Sequence, residues 1–361
     1  MIDEVPPAPA ATPPPPGPLP RARARRRGWL VAAAGAAIAF GIVAAFDRSA
    51  LVATGQALQH LRWGWIAVAV AAEAVSMLAA ATGHRRLLQA GGELVPRRTV
   101  LAVAFAGTAL ASSVPFAGTQ MAVAYSLRQY RARGIEVAVA GWALAIAWLL
   151  ATLSFATVLV AGSVTSGSGL AAAAGLATSL IFLLPPIAAL LGLRYPPVRT
   201  RVLELLGQLV AASRARFGRP KSDVAATVEA TLVRIGELRL RTIDYGAAYG
   251  CYLTNWLADV AVLVCAFKAT GAPIPWMGLL LAYGAGITAD SLGLTPGGLG
   301  LVEAALTAAL VAAGLRTAQA LSAVLVYRFV SFWLLLVVGW VVMVILEGRK
   351  PGWVSRRAAA G

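Results

Sequence analysis

The chain is dominated by long apolar runs, near Trp29–Phe46, Gly64–Ala81, Ile135–Ala161, Leu170–Leu193, Tyr245–Phe267 and Leu321–Leu346. Each meets or approaches the roughly 20 residues that a helix needs to cross a bilayer core. A soluble domain would interrupt such runs with charge every few residues. Here 59% of the 361 residues are hydrophobic and only 13% are charged, against roughly half and a quarter in soluble domains. The fold class that follows is an all-α integral membrane protein.

Net charge is +16, which in a soluble protein would point to nucleic acid. The basic residues instead cluster in loops beside the apolar runs, as the positive-inside rule requires, and no aromatic–basic interleaving accompanies them. A nucleic-acid partner is set aside. Cys251 and Cys265 share one run, about 21 Å apart along a continuous helix, too far to pair. His60 and His84 lie far apart in the sequence. No metal site and no cofactor is expected.

The charges orient the spans. Residues 1–28 read as a Pro-rich disordered segment followed by a basic cytoplasmic tail ending in Arg21, Arg23, Arg25, Arg26 and Arg27. Residues 29–346 form one polytopic membrane domain, and 347–361 a second basic cytoplasmic tail. The expected location is the cytoplasmic (inner) membrane, with both termini inside. Within the domain, 194–241 carries ten basic and four acidic residues and is read as a cytoplasmic loop. Val198, Val202, Leu205, Leu206 and Leu209 make an apolar stripe there at helical spacing, and Val224, Val228, Leu232 and Ile235 a second. Such helices lie on the inner leaflet or pack on the protein's own cytoplasmic face.

Two apolar segments are broken. Thr99–Leu127 is interrupted by Ser112-Ser113-Val114-Pro115-Phe116-Ala117-Gly118-Thr119 and is flanked by arginines on both sides. Ile274–Leu315 is interrupted by Thr295-Pro296-Gly297-Gly298-Leu299-Gly300. Proline removes a backbone donor and glycine admits conformations that end helices. Each segment begins and ends on one side, so each reads as a re-entrant hairpin of two half-helices. About six full spans plus these two hairpins result. A span, a hairpin and a span near 62–161 repeat near 245–346 with opposite orientation. Inverted repeats with broken helices are a transporter signature, with the substrate site where half-helices meet.

Charges inside membrane segments default to functional hypotheses. They are Glu73, Asp259, Asp290, Glu303 and Arg328. Asn255 sits one turn before Asp259, and the offset between the two units pairs it with Glu73. At Leu294–Glu303, three glycines expose N–H groups at the start of a half-helix, an end that suits phosphate or carboxylate. Pro296, Gly297, Gly298, Gly300, Glu303 and Arg328 are therefore the primary lipid-headgroup candidates. Glu303 could cap the break, bind a cationic group or pair with Arg328. Arg328 could neutralise a lipid phosphate or pair with Glu303 or Asp290. Glu73 and Asp259 suit either a structural hydrogen bond or a transport role. No nucleotide loop and no nucleophile–base pair is present, so no catalytic residue is assigned.

At the second break, Thr-Pro-Gly-Gly-Leu-Gly-x-x-Glu, followed by a span with Tyr327-Arg328, resembles the flippase-like membrane domain of bacterial lysylphosphatidylglycerol synthases, across about Trp63–Leu346. The resemblance implies movement of a lipid. Aminoacyl-lipid synthesis is not implied, because that activity belongs to a soluble domain for which the residues after the last span leave no room. In the family the first break carries Gly-Glu and a basic residue. Here Pro115, Gly118 and Gln120 stand there, with Gln120 where an acid is common, which sets apart any coupling through that hairpin. The expected partners are membrane lipids, anionic or polyprenyl-phosphate-linked. The alternative is a non-transporting scaffold or regulator of envelope glycolipid synthesis that uses the basic loop.

Overall fold

The computed structural model describes residues 61–194 and 241–348. The first apolar run, the amphipathic stripes of 198–235 and both tails lie outside the described residues. Among the described residues every element is helical. They are α1 (Trp63–Ala90), α2 (Arg97–Ser113), α3 (Gly118–Arg131), α4 (Val137–Thr165), α5 (Gly169–Arg194), α6 (Thr242–Thr270), α7 (Trp276–Ser291), α8 (Leu301–Ala312), α9 (Thr317–Arg328) and α10 (Leu335–Gly348). A single 3₁₀ turn, Pro296–Gly298, stands between α7 and α8, and a π-helical turn, Phe329–Leu334, joins α9 to α10. Among the described residues four helices are long and apolar enough to cross a membrane: α1, α4, α6 and the joined Thr317–Gly348. At about 1.5 Å per residue their 28 to 32 residues exceed the roughly 30 Å hydrocarbon core. The chain is an integral, multi-pass membrane protein.

Large apolar side chains stay exposed on these helices, among them Trp63, Leu78, Trp148, Leu180, Leu257 and Val337. In lipid that surface needs no cover. Helix association there relies on close packing instead. Gly339 shows the geometry: a Cβ on it would stand 2.4 Å from the Phe105 carbonyl oxygen, so α10 and α2 meet backbone to backbone.

Helices α1 and α6 form an antiparallel central pair. Arg62 N–H donates to Ala269 O at 3.1 Å at one end, Asn255 reaches Ser76 at the middle, and Gly83 abuts Cys251 and Tyr252 at the other end. Two apolar clusters divide the interior along this pair. One holds Ile66 and Ala69 of α1 with Leu263 and Phe267 of α6. The second holds Ala81, Leu87 and Leu88 of α1 with Ala248 and Tyr252 of α6. The stretches left between them, 73–77 on α1 and 255–259 on α6, carry Glu73, Ser76, Asn255 and Asp259. Polar groups thus sit midway along both helices.

The two broken segments are helix pairs, α2–α3 and α7–α8. Their helices have 17, 14, 16 and 12 residues, or about 18–26 Å each, shorter than a bilayer core. They enter from opposite ends of the α1–α6 pair. Helix α2 starts beside the end of α1, where Arg85 Nε donates to Val95 O at 2.8 Å. Helix α7 starts just after α6 ends. Their tips meet: Phe116 N–H in the first break donates to Gly293 O beside the second at 2.8 Å.

Candidate functional site

The second break is shaped by three special conformations within four residues. Gly297, Gly298 and Gly300 have φ of 55°, 66° and 79°, where a side chain is strained. Space is also short. A Cβ on Gly297 would lie 1.9 Å from the Phe332 ring, and one on Gly298 would lie 2.3 Å from Val302 and 2.8 Å from Asp290 Oδ1. Pro296 opens the turn with its fixed φ. These residues therefore let the chain pass tightly under Phe332 and deliver α8 with its N-terminus inward.

Glu303, in the first turn of α8, closes that N-terminus. Its Oε2 accepts from Gly300 N–H at 2.7 Å, and its Oε1 accepts from Arg328 Nε at 2.6 Å. Arg328 also donates to Gly297 O and lies over the Phe332 ring, 4.4 Å from its centre. The Arg328 residue is 7% exposed. One carboxylate thus bridges a helix N-terminus and a guanidinium, two donor types that suit a phosphate. The π-turn begins immediately after Arg328. Such turns rotate the following side chains relative to a plain α-helix and recur at functional sites. Here the turn carries Phe332 under the arginine.

A cavity of about 200 Å³ opens beside this pair, lined from α1, α2, α6, α7, α8 and the α9–α10 junction. Its polar lining is Glu73, Asn255, Asp259, Asp290, Tyr283, Tyr327 and Arg328, with the hydroxyls of Ser76, Thr108, Ser112 and Ser331. Asp259 Oδ2 accepts from Tyr283 Oη at 2.7 Å and from Tyr327 Oη at 3.0 Å. Asn255 Nδ2 donates to Ser76 Oγ at 2.7 Å and to Ser76 O at 3.2 Å. Glu73 is 5% exposed.

At the first break, Phe116 adopts φ 56°, the sole non-glycine with positive φ among the described residues, and is 72% exposed. Gly118 starts α3 so close to α2 that a Cβ would sit 2.0 Å from Ala111 O. The Gln120 amide, with its nitrogen turned toward them, reaches Phe116 O and Ala117 O at 3.2 Å each. Gln120 thus braces its own break.

The sequence candidates fall into three sets. Glu73, Asn255, Asp259, Asp290 and Arg328 line one cavity. Pro296, Gly297, Gly298, Gly300 and Glu303 form the turn behind Arg328, while Pro115, Gly118 and Gln120 shape the opposite tip and stay out of the cavity wall. Glu73 and Asn255, paired by offset alone, both face it. Sequence reasoning missed Tyr283 and the Tyr327 hydroxyl as partners of Asp259. The available signal was a tyrosine inside an apolar helix, whose hydroxyl needs a partner when buried. Among the described residues no group of three or more His, Cys, Asp or Glu could hold a metal ion.

Residues 29–339 match the model of the lysylphosphatidylglycerol synthase transmembrane region. A UPF0104 membrane protein of Pyrococcus horikoshii is 30% identical over 120 residues, 33% of this chain and 34% of that protein. The match spans about a third of that relative's length.

Proposed function

The chain belongs to the family of the lysylphosphatidylglycerol synthase transmembrane region, and from that premise we propose that it is a lipid translocase, moving a phosphate-containing lipid between the leaflets of the cytoplasmic membrane. The observation that carries this reading is the tip-to-tip meeting of two broken helix pairs, Phe116 N–H to Gly293 O, beside a polar cavity midway along the central helices. Non-helical backbone at membrane depth is tolerated where it is buried in protein or lines a cavity. In this reading α2–α3 and α7–α8 are re-entrant hairpins of an inverted repeat. The arginine-bearing end, with Arg85, Arg86, Arg97, Arg98, Arg128 and Arg131, faces the cytoplasm.

Glu303 supplies the switch. Its carboxylate occupies the two donors that a lipid phosphate would take, Gly300 N–H and Arg328 Nε. Headgroup binding exchanges one anion for another at those donors, so the buried guanidinium is never left bare. Release returns Glu303 to its place. No chemical step is assigned to the chain: it binds and reorients its lipid.

Leaflet exchange of fluorescent anionic, zwitterionic and aminoacylated phospholipids and of a polyprenyl phosphate, in proteoliposomes, tests this. Headgroup-selective exchange by the wild type, lost in Glu303→Gln and Arg328→Ala, supports the translocase. Exchange no faster than in protein-free vesicles, with the protein folded and a gradient applied, refutes it.

A further inference from the structure

Glu73 and Asp259 come from the two central helices, each one turn from the Asn255–Ser76 contact that joins them, and both line the same cavity. Each keeps a buried oxygen for which no N–H or O–H of the described residues serves as partner, Glu73 Oε2 and Asp259 Oδ1. An ionised carboxylate only accepts hydrogen bonds. Two of them facing one small cavity therefore repel unless a proton lies between them. Among the described residues no cation forms an ion pair with either carboxylate. Tyr283 and Tyr327 give Asp259 Oδ2 two donors. Asn255 is turned to Ser76. Arg328 is held by Glu303. Asp290 adds a third acid to the wall.

We propose that Glu73 and Asp259 together hold one exchangeable proton, and that this proton is the ion to which lipid movement is coupled. Uptake forms an O–H bond on one carboxylate oxygen and breaks an O–H bond of a hydronium ion, which leaves as water; release reverses this exchange and leaves two facing carboxylates. The extra negative charge of the unloaded pair lies on the wall of the cavity that Arg328 shares, so the two protonation states favour different positions of the guanidinium and of any headgroup beside it. The proton site stands on the geometry alone. The coupling rests on the translocase reading.

The test has two readouts on the full chain in proteoliposomes. Infrared difference spectroscopy reports the protonated-carboxyl stretch and its shift in heavy water. The wild type shows this band at neutral pH, where bulk carboxyls are ionised. Glu73→Gln and Asp259→Asn each lose it, because the new amide donates to the remaining carboxylate in the proton's stead and keeps the contact intact. Absence of the band from the wild type, or its survival in both variants, overturns the site. In the second readout an imposed pH gradient drives fluorescent-lipid exchange and moves protons measured by a trapped pH dye; Glu73→Gln loses this dependence. Exchange indifferent to the gradient, with the infrared band present, overturns the coupling and leaves the translocase reading intact. A wild type with the band but without exchange of any lipid sinks the translocase reading instead.

Discussion

The amide of Phe116 donates to the carbonyl of Gly293 across 2.8 Å, and this bond ties the tips of two helix pairs that enter from opposite ends of the molecule. Its donor sits in an unusual place. Phe116 has φ 56° with an exposed ring, a conformation that costs a non-glycine residue of order 1–3 kcal/mol. The strain aims the N–H outward at the second break. Phe116→Gly keeps that N–H and relieves the strain, so thermal unfolding in detergent should stay at or above the wild type. Phe116→Pro removes the N–H and cannot adopt this φ. It should lower the unfolding temperature and abolish lipid exchange.

Substitutions at two glycines separate side-chain crowding from backbone crowding. Gly297→Ala drives a Cβ into the Phe332 ring and strains a φ of 55°, and overpacking of this kind costs roughly 1–3 kcal/mol. Because the obstacle is a side chain, Phe332→Leu in the same molecule should restore part of the lost stability. Gly118→Ala meets the Ala111 carbonyl oxygen instead. No side-chain change moves that atom, so second-site replacements nearby should not rescue it. Unfolding temperatures of the singles and doubles decide the matter.

The Arg328–Glu303 pair should show strong non-additivity. With side chains 8% and 13% exposed, removing one partner strands the other as a buried charge, at a cost of about 3–5 kcal/mol. Arg328→Ala and Glu303→Gln should each be destabilising, and the double variant should lose much less than their sum. Arg328→Lys should not substitute for the wild type. A lysine supplies a point charge in place of a planar group that bonds Glu303 and Gly297 O while stacking on Phe332. A double-mutant cycle on chemical unfolding measures the coupling, and the exchange assay tests the lysine.

Much of this arrangement is legible in the sequence where local chemistry decides it. The runs of apolar residues, Pro115 and Gly118 at one break, and Pro296 to Gly300 at the other mark the helices and their interruptions, because a bilayer tolerates few alternatives. The choice of Glu303 as Arg328's partner over Asp290 depends on three dimensions. So does the placing of Glu73 and Asp259 on one cavity wall, although they lie 186 positions apart by subtraction of their sequence numbers. The π-turn at Phe329–Leu334 contains neither proline nor glycine, so nothing local announces it. Gln120, read as a departure from the family's acid, instead reaches the carbonyls of its own break, a role that a protonated acid or an amide fills and an ionised acid does not.

Asn255 separates stability from function most sharply. Its amide joins α6 to α1 through Ser76, one turn from both Glu73 and Asp259. Hydrogen bonds between membrane helices average only about 0.6 kcal/mol by double-mutant cycles, and rarely exceed about 1.7. The α1–α6 contact also runs the length of both helices, from Arg62 with Ala269 to Gly83 with Cys251. Loss of one amide should therefore barely move the unfolding temperature of Asn255→Ala. The local register of the two carboxyl-bearing turns is another matter, since apart from the proposed shared proton no other side-chain hydrogen bond joins α1 to α6 among the described residues. Lipid exchange should fall well below the wild type while the protein remains folded, and the infrared carboxyl band should shift. An unfolding temperature that drops as far as that of Arg328→Ala would mean that Asn255 holds the helices together, and would remove it from the functional set.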